Sequence, residues 1–169
     1  CIESLRNQPR LGKIILMDDA SSKEEYEIAK GMGGVEIWRS ETNRGFIKTC
    51  NYGIRKNSQS PYVLILNSDT QAVTPNAIEI MARNLDEGAA VCGALLVYPN
   101  GRGPQSGGVQ HAGVMFDFNG FPIHVMAGFH PQNPAVQSWR SINAVTGACM
   151  MVRRDTWDRL GGFSDAFGM

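Results

Sequence analysis

The sequence predicts an α/β protein with a doubly wound, mostly parallel sheet flanked by helices. Short apolar runs rich in β-branched residues recur along the chain, and segments with helical periodicity lie between them. Strands buried on both faces of a parallel sheet are expected to be short and apolar, and the intervening helices supply the crossovers. At 169 residues, 43% hydrophobic and 19% charged, the chain fits a single domain over residues 1–169.

The first half of the chain predicts two strands and two helices. KIILM (residues 13–17) is a buried strand, and VEIWR (35–39) is the next one. Between them a helix is expected over KEEYEIAKGM (23–32), capped by the preceding serines. FIKTCNYGIRKN (46–57) places its apolar residues on one helical face, so a second helix is expected there.

The middle of the chain continues the alternation. YVLIL (62–66) is predicted as a third buried strand that runs into Asn67, Ser68 and Asp69. A helix is expected from about Pro75 to Leu85, with Thr74 as N-cap and Pro75 at its first position. AAVCGALLVY (89–98) then predicts a fourth strand.

The pattern changes after the fourth strand. Residues 99–145 are rich in Gly, Pro, Asn and Gln and contain only short strand-like pieces, which indicates a β-rich loop excursion near residues 99–145. NAVTGACMMVRRD restores a strand, and DTWDRLGGF is a short helix closed by Gly161 and Gly162. The chain opens within a helix-like segment and stops within a loop-like one, so it is expected to be a truncated domain of a longer protein.

Composition and charge exclude several functional classes. The formal net charge is zero and the cations are spread along the chain, so no nucleic-acid partner is expected. The four cysteines are widely spaced without a CxxC pair, which is typical of reduced thiols in a cytoplasmic protein. No apolar stretch is long enough to span a bilayer. Contact with the inner face of a membrane would therefore be peripheral or made by segments outside this sequence.

Acidic residues end two of the predicted strands. Asp18 and Asp19 follow the first strand, and Asp69 follows the third. Ligands of open α/β sheets bind at the carboxyl ends of strands, and a carboxylate there is costly to bury unless a cation or a donor pairs with it. The alternative interpretation is that each acid caps the next helix or turn.

The succession MDDASS, TNRGFIKTCNYGI, LILNSDT and VTGACMMVRRDTWDRLGGFSDAF resembles glycosyltransferase family 2. These are inverting nucleotide-sugar transferases of GT-A fold, and the resemblance is nearest to the branch that makes bacterial polysaccharides and transfers sugars such as rhamnose. It covers nearly the whole chain, except that the family's first strand is missing. It implies transfer of a sugar from a UDP-, dTDP- or GDP-linked donor to a glycan or lipid-linked acceptor.

The resemblance also implies roles for individual residues. Asp19 would accept from the nucleobase and Asp18 would shape that pocket, while Asn43, Arg44 and Lys48 would lie beside the nucleotide. For Lys48, a solvated helix face is an equally good interpretation.

The DxD motif of the family falls on Asn67, Ser68 and Asp69. The resemblance implies that Asp69 binds Mg²⁺ or Mn²⁺, which neutralises the departing diphosphate. Asn67 replaces the first acid of the motif, and with Ser68 it is assigned to the nucleotide.

The general base of the family lies in a short acidic motif expected beyond Met169, so the catalytic residue is unknown from this sequence. Thr146, Gly147 and Ala148 would lie between donor and acceptor, or form a core packing turn. Asp165 would orient the acceptor or its loop.

The three histidines, His111, His124 and His130, lie in the excursion without metal-ligand spacing, which indicates a role in the loops. Contact of His111 or His124 with a sugar is an open alternative. The absence of GxGxxG after the first strand and of GxxxxGK[ST] disfavours dinucleotide and P-loop classes. A second function remains open, in which the chain binds a nucleotide or glycan without turnover because the base motif is absent.

Overall fold

The computed structural model describes residues 1–56, 60–101 and 105–166. Helices and strands alternate through the first 93 residues and confirm the α/β class. The helices are α1 (Ile2–Leu5), α2 (Lys23–Lys30), α3 (Phe46–Lys56), α4 (Ala77–Asp86), α5 (Pro134–Gln137) and α6 (Arg154–Leu160). The strands are β1 (Ile15–Asp18), β2 (Glu36–Arg39), β3 (Tyr62–Leu66), β4 (Val91–Gly93), β5 (Leu96–Val97), β6 (Val109–His111), β7 (Val114–Phe116), β8 (Pro122–His124) and β9 (Cys149–Arg153).

The chain divides into two compact units. Unit 1 comprises Cys1–Val63, Gln71–Glu79 and the described part of Val152–Met169, and unit 2 comprises Leu64–Thr70 and Ile80–Met151. No helix in the described ranges is both long enough and apolar enough to cross a membrane.

In unit 1, β1 and β2 pair in parallel, with Ile15 opposite Glu36 and Asp18 opposite Arg39. Helix α2 begins as predicted after Ser22, whose side chain accepts from the Glu25 N–H while Glu25 reaches back to the Ser22 N–H. This capping box satisfies two backbone donors at the helix start.

Helix α4 begins at Ala77, two residues later than predicted, so Thr74 and Pro75 are not its N-cap and first residue. The buried Gln8 supplies the cap from elsewhere in the sequence. Its Nε2 donates to the Thr74 carbonyl (2.7 Å) and its Oε1 accepts from the Ile78 N–H (3.3 Å). Because a side chain 70 residues upstream satisfies the first turn, local sequence gave no signal for this start.

A three-stranded sheet has the order β3-β9-β4. The single fourth strand expected over 89–98 was wrong, because the chain changes partner inside it. The Ala94 N–H donates to the Cys149 carbonyl, whereas the Tyr98 N–H donates to the Gly108 carbonyl. Strand β5 therefore pairs with β6 in a separate antiparallel sheet.

The excursion is β-rich, as predicted. Strands β7 and β8 form an antiparallel hairpin with Val114 opposite His124, and a backbone bridge joins Val114 to Ala144. A turn at Gly113 (φ +120°) leads into β7, and a Cβ there would lie 2.1 Å from the Ile142 side chain. Only glycine fits this position.

Candidate functional site

A pocket opens in unit 1 where β1 and β2 end. Asp18 comes from the end of β1, Arg39 from the end of β2, and Tyr52 from α3. The residues that line it are Met17, Asp18, Trp38, Arg39, Ser40, Arg44, Thr49 and Tyr52. Thr49 contributes to the wall, but its hydroxyl oxygen is buried and bonds no group among the described residues.

Asp18 is buried at the base of this pocket and is held by two partners. One carboxylate oxygen accepts from the Ser21 N–H at 2.9 Å, and the other lies 2.8 Å from Nη1 of Arg39. Burial acts to raise the pKa of Asp18, but the hydrogen bonds from Ser21 and the Arg39 guanidinium lower that pKa below its ordinary value of 3.8. Asp18 therefore lines the pocket as an ionised carboxylate.

The carboxylate of Asp19 holds the turn before α3. It accepts from the backbone N–H of Arg44 at 2.9 and 3.0 Å and from the N–H of Gly45 at 2.8 Å. This contact matches the alternative interpretation in which a strand-end acid caps the next element. A carboxylate has about four lone-pair positions, so a ligand N–H can still be accepted.

The residues around this turn differ in their surroundings. The Asn43 Oδ1 accepts from the Gly45 N–H at 3.0 Å. The guanidinium of Arg44 lies over the Tyr52 ring, 5.4 Å from its centroid, and faces the pocket. Lys48 is exposed on α3. Arg44 is thus the cation placed at the pocket, whereas no group among the described residues bonds the Lys48 ammonium.

The NSD segment follows β3 in unit 2. The Asn67 N–H donates to the Ala148 carbonyl (2.9 Å), and the Asn67 carbonyl accepts from the Thr70 N–H and hydroxyl. Ser68 and Asp69 are exposed on this turn, and no described group bonds the Asp69 carboxylate. The turn therefore leaves Asp69 available to a ligand.

The described residues contain no cluster of three or more His, Cys, Asp or Glu side chains that could hold a metal ion. A hard divalent cation takes about six oxygen ligands, and Asp69 supplies one carboxylate. The protein groups fit such a cation only when substrate oxygens and water provide the other ligands.

The predicted acceptor-side residues lie in different units. In unit 2, the Thr146 hydroxyl accepts from the Ala148 N–H at 3.2 Å and closes a turn that contains Gly147. In unit 1, Asp165 is exposed in the loop after Phe163.

Two of the histidines meet. His111 on β6 is 1% exposed, and its Nδ1 lies 2.8 Å from Nδ1 of His124 on β8. Burial lowers the pKa of His111 to about 4, and His124 adds to this shift. His130 lies apart in the loop, with its Nδ1 accepting from the Gln132 N–H.

Sequence reasoning did not single out six of the residues that line the pocket: Met17, Trp38, Arg39, Ser40, Thr49 and Tyr52. A signal for Arg39 was present, because it ends the second strand as Asp18 ends the first. It also missed the burial of His111, which alternation on β6 could have indicated, since Val109 and His111 point to the same face.

Residues 1–161 of the chain match the family model described as "Glycosyl transferase family 2". The chain is 29% identical over 117 residues to the uncharacterized protein y4gI of Sinorhizobium fredii, covering 64% of this chain and 12% of that protein. It is 30% identical over 122 residues to the O-antigen biosynthesis protein RfbC of Myxococcus xanthus, covering 66% of this chain and 9% of that protein.

A crystal structure of GalNAc-T7 with UDP, GalNAc and Mn²⁺ has a similar fold, with a TM-score of 0.70 at 19% identity. The match covers 96% of this chain and 33% of that chain. Together with the alternating strands and helices, these matches define the class of this protein as a glycosyltransferase domain of GT-A type. The chain belongs to glycosyltransferase family 2, which confirms the resemblance of its four motifs.

Proposed function

We propose that this domain transfers a hexosyl or deoxyhexosyl group from a nucleoside diphosphate donor to a glycan or lipid-linked acceptor, with inversion, in the synthesis of a bacterial cell-envelope polysaccharide. Family membership supports sugar transfer, and similarity to the O-antigen biosynthesis protein RfbC supports a polysaccharide product. The observation that carries the proposal is Asp69, an exposed carboxylate at the carboxyl end of a sheet strand with no described partner.

The pocket in unit 1 is assigned to the nucleoside. Its aromatic walls, Trp38 and Tyr52, contact each other edge to face with centroids 5.9 Å apart, and such surfaces pack well against a base. Arg44 at the same pocket is a permanent cation that suits a phosphate oxygen. Asp19 keeps lone pairs for a base N–H while it holds the turn.

Asp69 is assigned to a divalent cation, Mg²⁺ or Mn²⁺, whose chemistry when bound is to neutralise the charge that develops on a diphosphate leaving group. Support comes from the related fold of GalNAc-T7, whose structure contains UDP and Mn²⁺. Asn67 and Ser68 are assigned to the nucleotide beside it. Because one protein carboxylate makes a weak site, cation affinity should depend on the nucleotide.

Inversion requires a base that takes the acceptor proton on the face opposite the leaving group. That base is proposed to lie in the short acidic motif of the family, which is expected after Met169. The Thr146–Ala148 turn and Asp165 are assigned to acceptor positioning. Domain 1–169 is proposed to act at the cytoplasmic face of the membrane as one catalytic domain.

The test compares Asp69→Asn with Glu87→Gln in the whole protein, because both remove one exposed carboxylate. Turnover of UDP-, dTDP- and GDP-sugars is measured with Mn²⁺, together with calorimetric titration of each nucleotide. Asp69→Asn should lower turnover on the order of a hundredfold and abolish the Mn²⁺ dependence of nucleotide binding, whereas Glu87→Gln should leave both unchanged.

Unchanged turnover of Asp69→Asn at saturating Mn²⁺ would sink the metal assignment. Nucleotide binding by the wild-type protein with no transfer and no donor hydrolysis would instead support a binding function without turnover.

A further inference from the structure

The His111–His124 pair has its protons placed by the surrounding backbone. The two rings meet at 79° with centroids 5.0 Å apart, and the 2.8 Å contact joins Nδ1 to Nδ1. A hydrogen bond between these atoms requires a proton on one and a lone pair on the other. Which ring donates is decided by a third group.

That third group is the Thr146 backbone N–H, which donates to Nε2 of His111 at 3.3 Å. A backbone amide is always a donor, so Nε2 of His111 must carry a lone pair and the neutral ring carries its proton on Nδ1. His111 then donates to His124, whose Nδ1 must carry a lone pair. His124 is therefore neutral with its proton on Nε2, and one fixed amide sets both tautomers.

The pair is also joined to the NSD segment within unit 2. The Thr146 hydroxyl accepts from the Ala148 N–H, and the Ala148 carbonyl accepts from the Asn67 N–H. His124, His111, Thr146, Ala148 and Asn67 thus form one continuous chain of hydrogen bonds. Asn67 begins the turn that carries the exposed carboxylate assigned to the cation.

The two ends of the pair differ in exposure. His111 is 1% exposed, whereas His124 is exposed on the hairpin and its Nε2 bonds no described group. Burying an imidazole costs free energy that an apolar residue would avoid, unless its hydrogen bonds are all made. As a result, the Nε2–H of His124 is a hydrogen-bond donor of fixed direction at the protein surface.

We propose that His124 binds the substrate by donating its Nε2–H to a sugar oxygen, and that His111 is the positioning residue that fixes this tautomer. The inference rests on the proposed sugar transfer and adds a specificity-determining contact in the excursion. A sugar hydroxyl is the matching acceptor, and it could belong to the transferred sugar or to the acceptor. The two sources are separated by assaying donor hydrolysis without acceptor.

Side-chain amides allow each ring nitrogen to be replaced separately. An Asn side chain reaches the position of Nδ1 but not that of Nε2, while Gln reaches the position of Nε2. His124→Asn therefore keeps the acceptor for His111 and removes only the exposed donor. His130→Asn is the matched control, because it keeps the acceptor for the Gln132 N–H in an unrelated loop.

In the whole protein, His124→Asn should lower kcat/KM about tenfold, whereas His130→Asn should change it by less than about twofold. A loss in donor hydrolysis without acceptor assigns the oxygen to the transferred sugar, and a loss confined to transfer assigns it to the acceptor. Activity of His124→Asn equal to the wild type would overturn the substrate contact. His111→Gln keeps the acceptor for Thr146 and should give a smaller loss, because His124 is then free to change tautomer.

The tautomers are measured without any assay, by ¹⁵N-detected NMR of the histidine rings in the wild-type protein. The expected spectrum shows a protonated Nδ1 for His111 and a protonated Nε2 for His124 at neutral pH. A protonated Nε2 on His111 would overturn the positioning role. If the wild-type protein turns over no sugar nucleotide, the proposed function fails, while the NMR result still decides the tautomers.

Discussion

Asn51 and Phe163, 112 residues apart, bind each other through two hydrogen bonds. The Asn51 Nδ2 donates to the Phe163 carbonyl at 2.8 Å, and its Oδ1 accepts from the Phe163 N–H at 2.9 Å. Gly162 (φ +86°) allows the close approach, because a Cβ there would lie 2.5 Å from the Asn51 Oδ1. The buried amide of α3 thus anchors the loop that follows α6.

Replacing Asn51 by Ala should lower the free energy of unfolding by roughly 2–3 kcal/mol, since both backbone groups of Phe163 lose their partner. Asn7→Ala, at an exposed position that caps no helix, should change it by less than about 0.5 kcal/mol. Urea denaturation of both variants makes the comparison. Equal stability would show that the two bonds do not anchor the loop.

Gly53 lets α3 lie close to β1. A Cβ at this position would lie 2.6 Å from Sδ of Met17, so Gly53→Val should destabilise the protein by about 1–3 kcal/mol through overpacking. Met17→Ala removes the obstructing atoms. In a double-mutant cycle the two changes should couple favourably by more than about 0.5 kcal/mol, and strict additivity would contradict the contact.

The ion pair between Asp18 and Arg39 should make stability fall in acid. The folded-state pKa of Asp18 is lowered from 3.8, so the unfolded state binds a proton first as the pH drops. The stabilisation is present above about pH 4 and is lost as the pH falls through the lower folded value. Chemical denaturation between pH 5 and pH 2 should show a shallower slope for Asp18→Asn. The exposed Asp69→Asn should keep the slope of the wild type, and an identical slope in all three proteins would refute the pair.

His111 should contribute a second pH dependence in a separate window. Its folded pKa of about 4 lies below the ordinary 6.5, because burial and the facing His124 disfavour its cation. Stability should therefore decrease as the pH falls from about 6.5 towards 4, by on the order of 2 kcal/mol. The slope in this window should flatten in His111→Gln and persist in His130→Asn. A slope unchanged by His111→Gln would show that the folded protein accepts a proton at this ring.

The local elements could be predicted because their signals are local. Ser22 and Glu25 lie three residues apart, so the capping box of α2 is readable from the sequence. The start of α4 was not readable, because Gln8 provides its cap from a distant position. The fourth strand was mistaken because an apolar run does not show that its ends pair with different strands.

The candidate site shows the same division. The acids at the ends of β1 and β3 could be identified because they stand where apolar runs stop. The family could be identified from the four motifs. The sequence did not show that Asp19 already holds the turn at Gly45. The role of Asp19 towards a nucleobase stays a prediction.

By itself, then, the sequence determined the α/β class, the family and the carboxylates that follow two strands, since these depend on periodicity and on short motifs. Only the tertiary structure decided which distant residues bond to each other. These contacts join Asp18 to Arg39, Asn51 to Phe163, and His111 to both His124 and Thr146. Each pair is set by strand register and helix packing between distant segments. Such contacts have no local signature, because the free energy that selects them belongs to the assembled core.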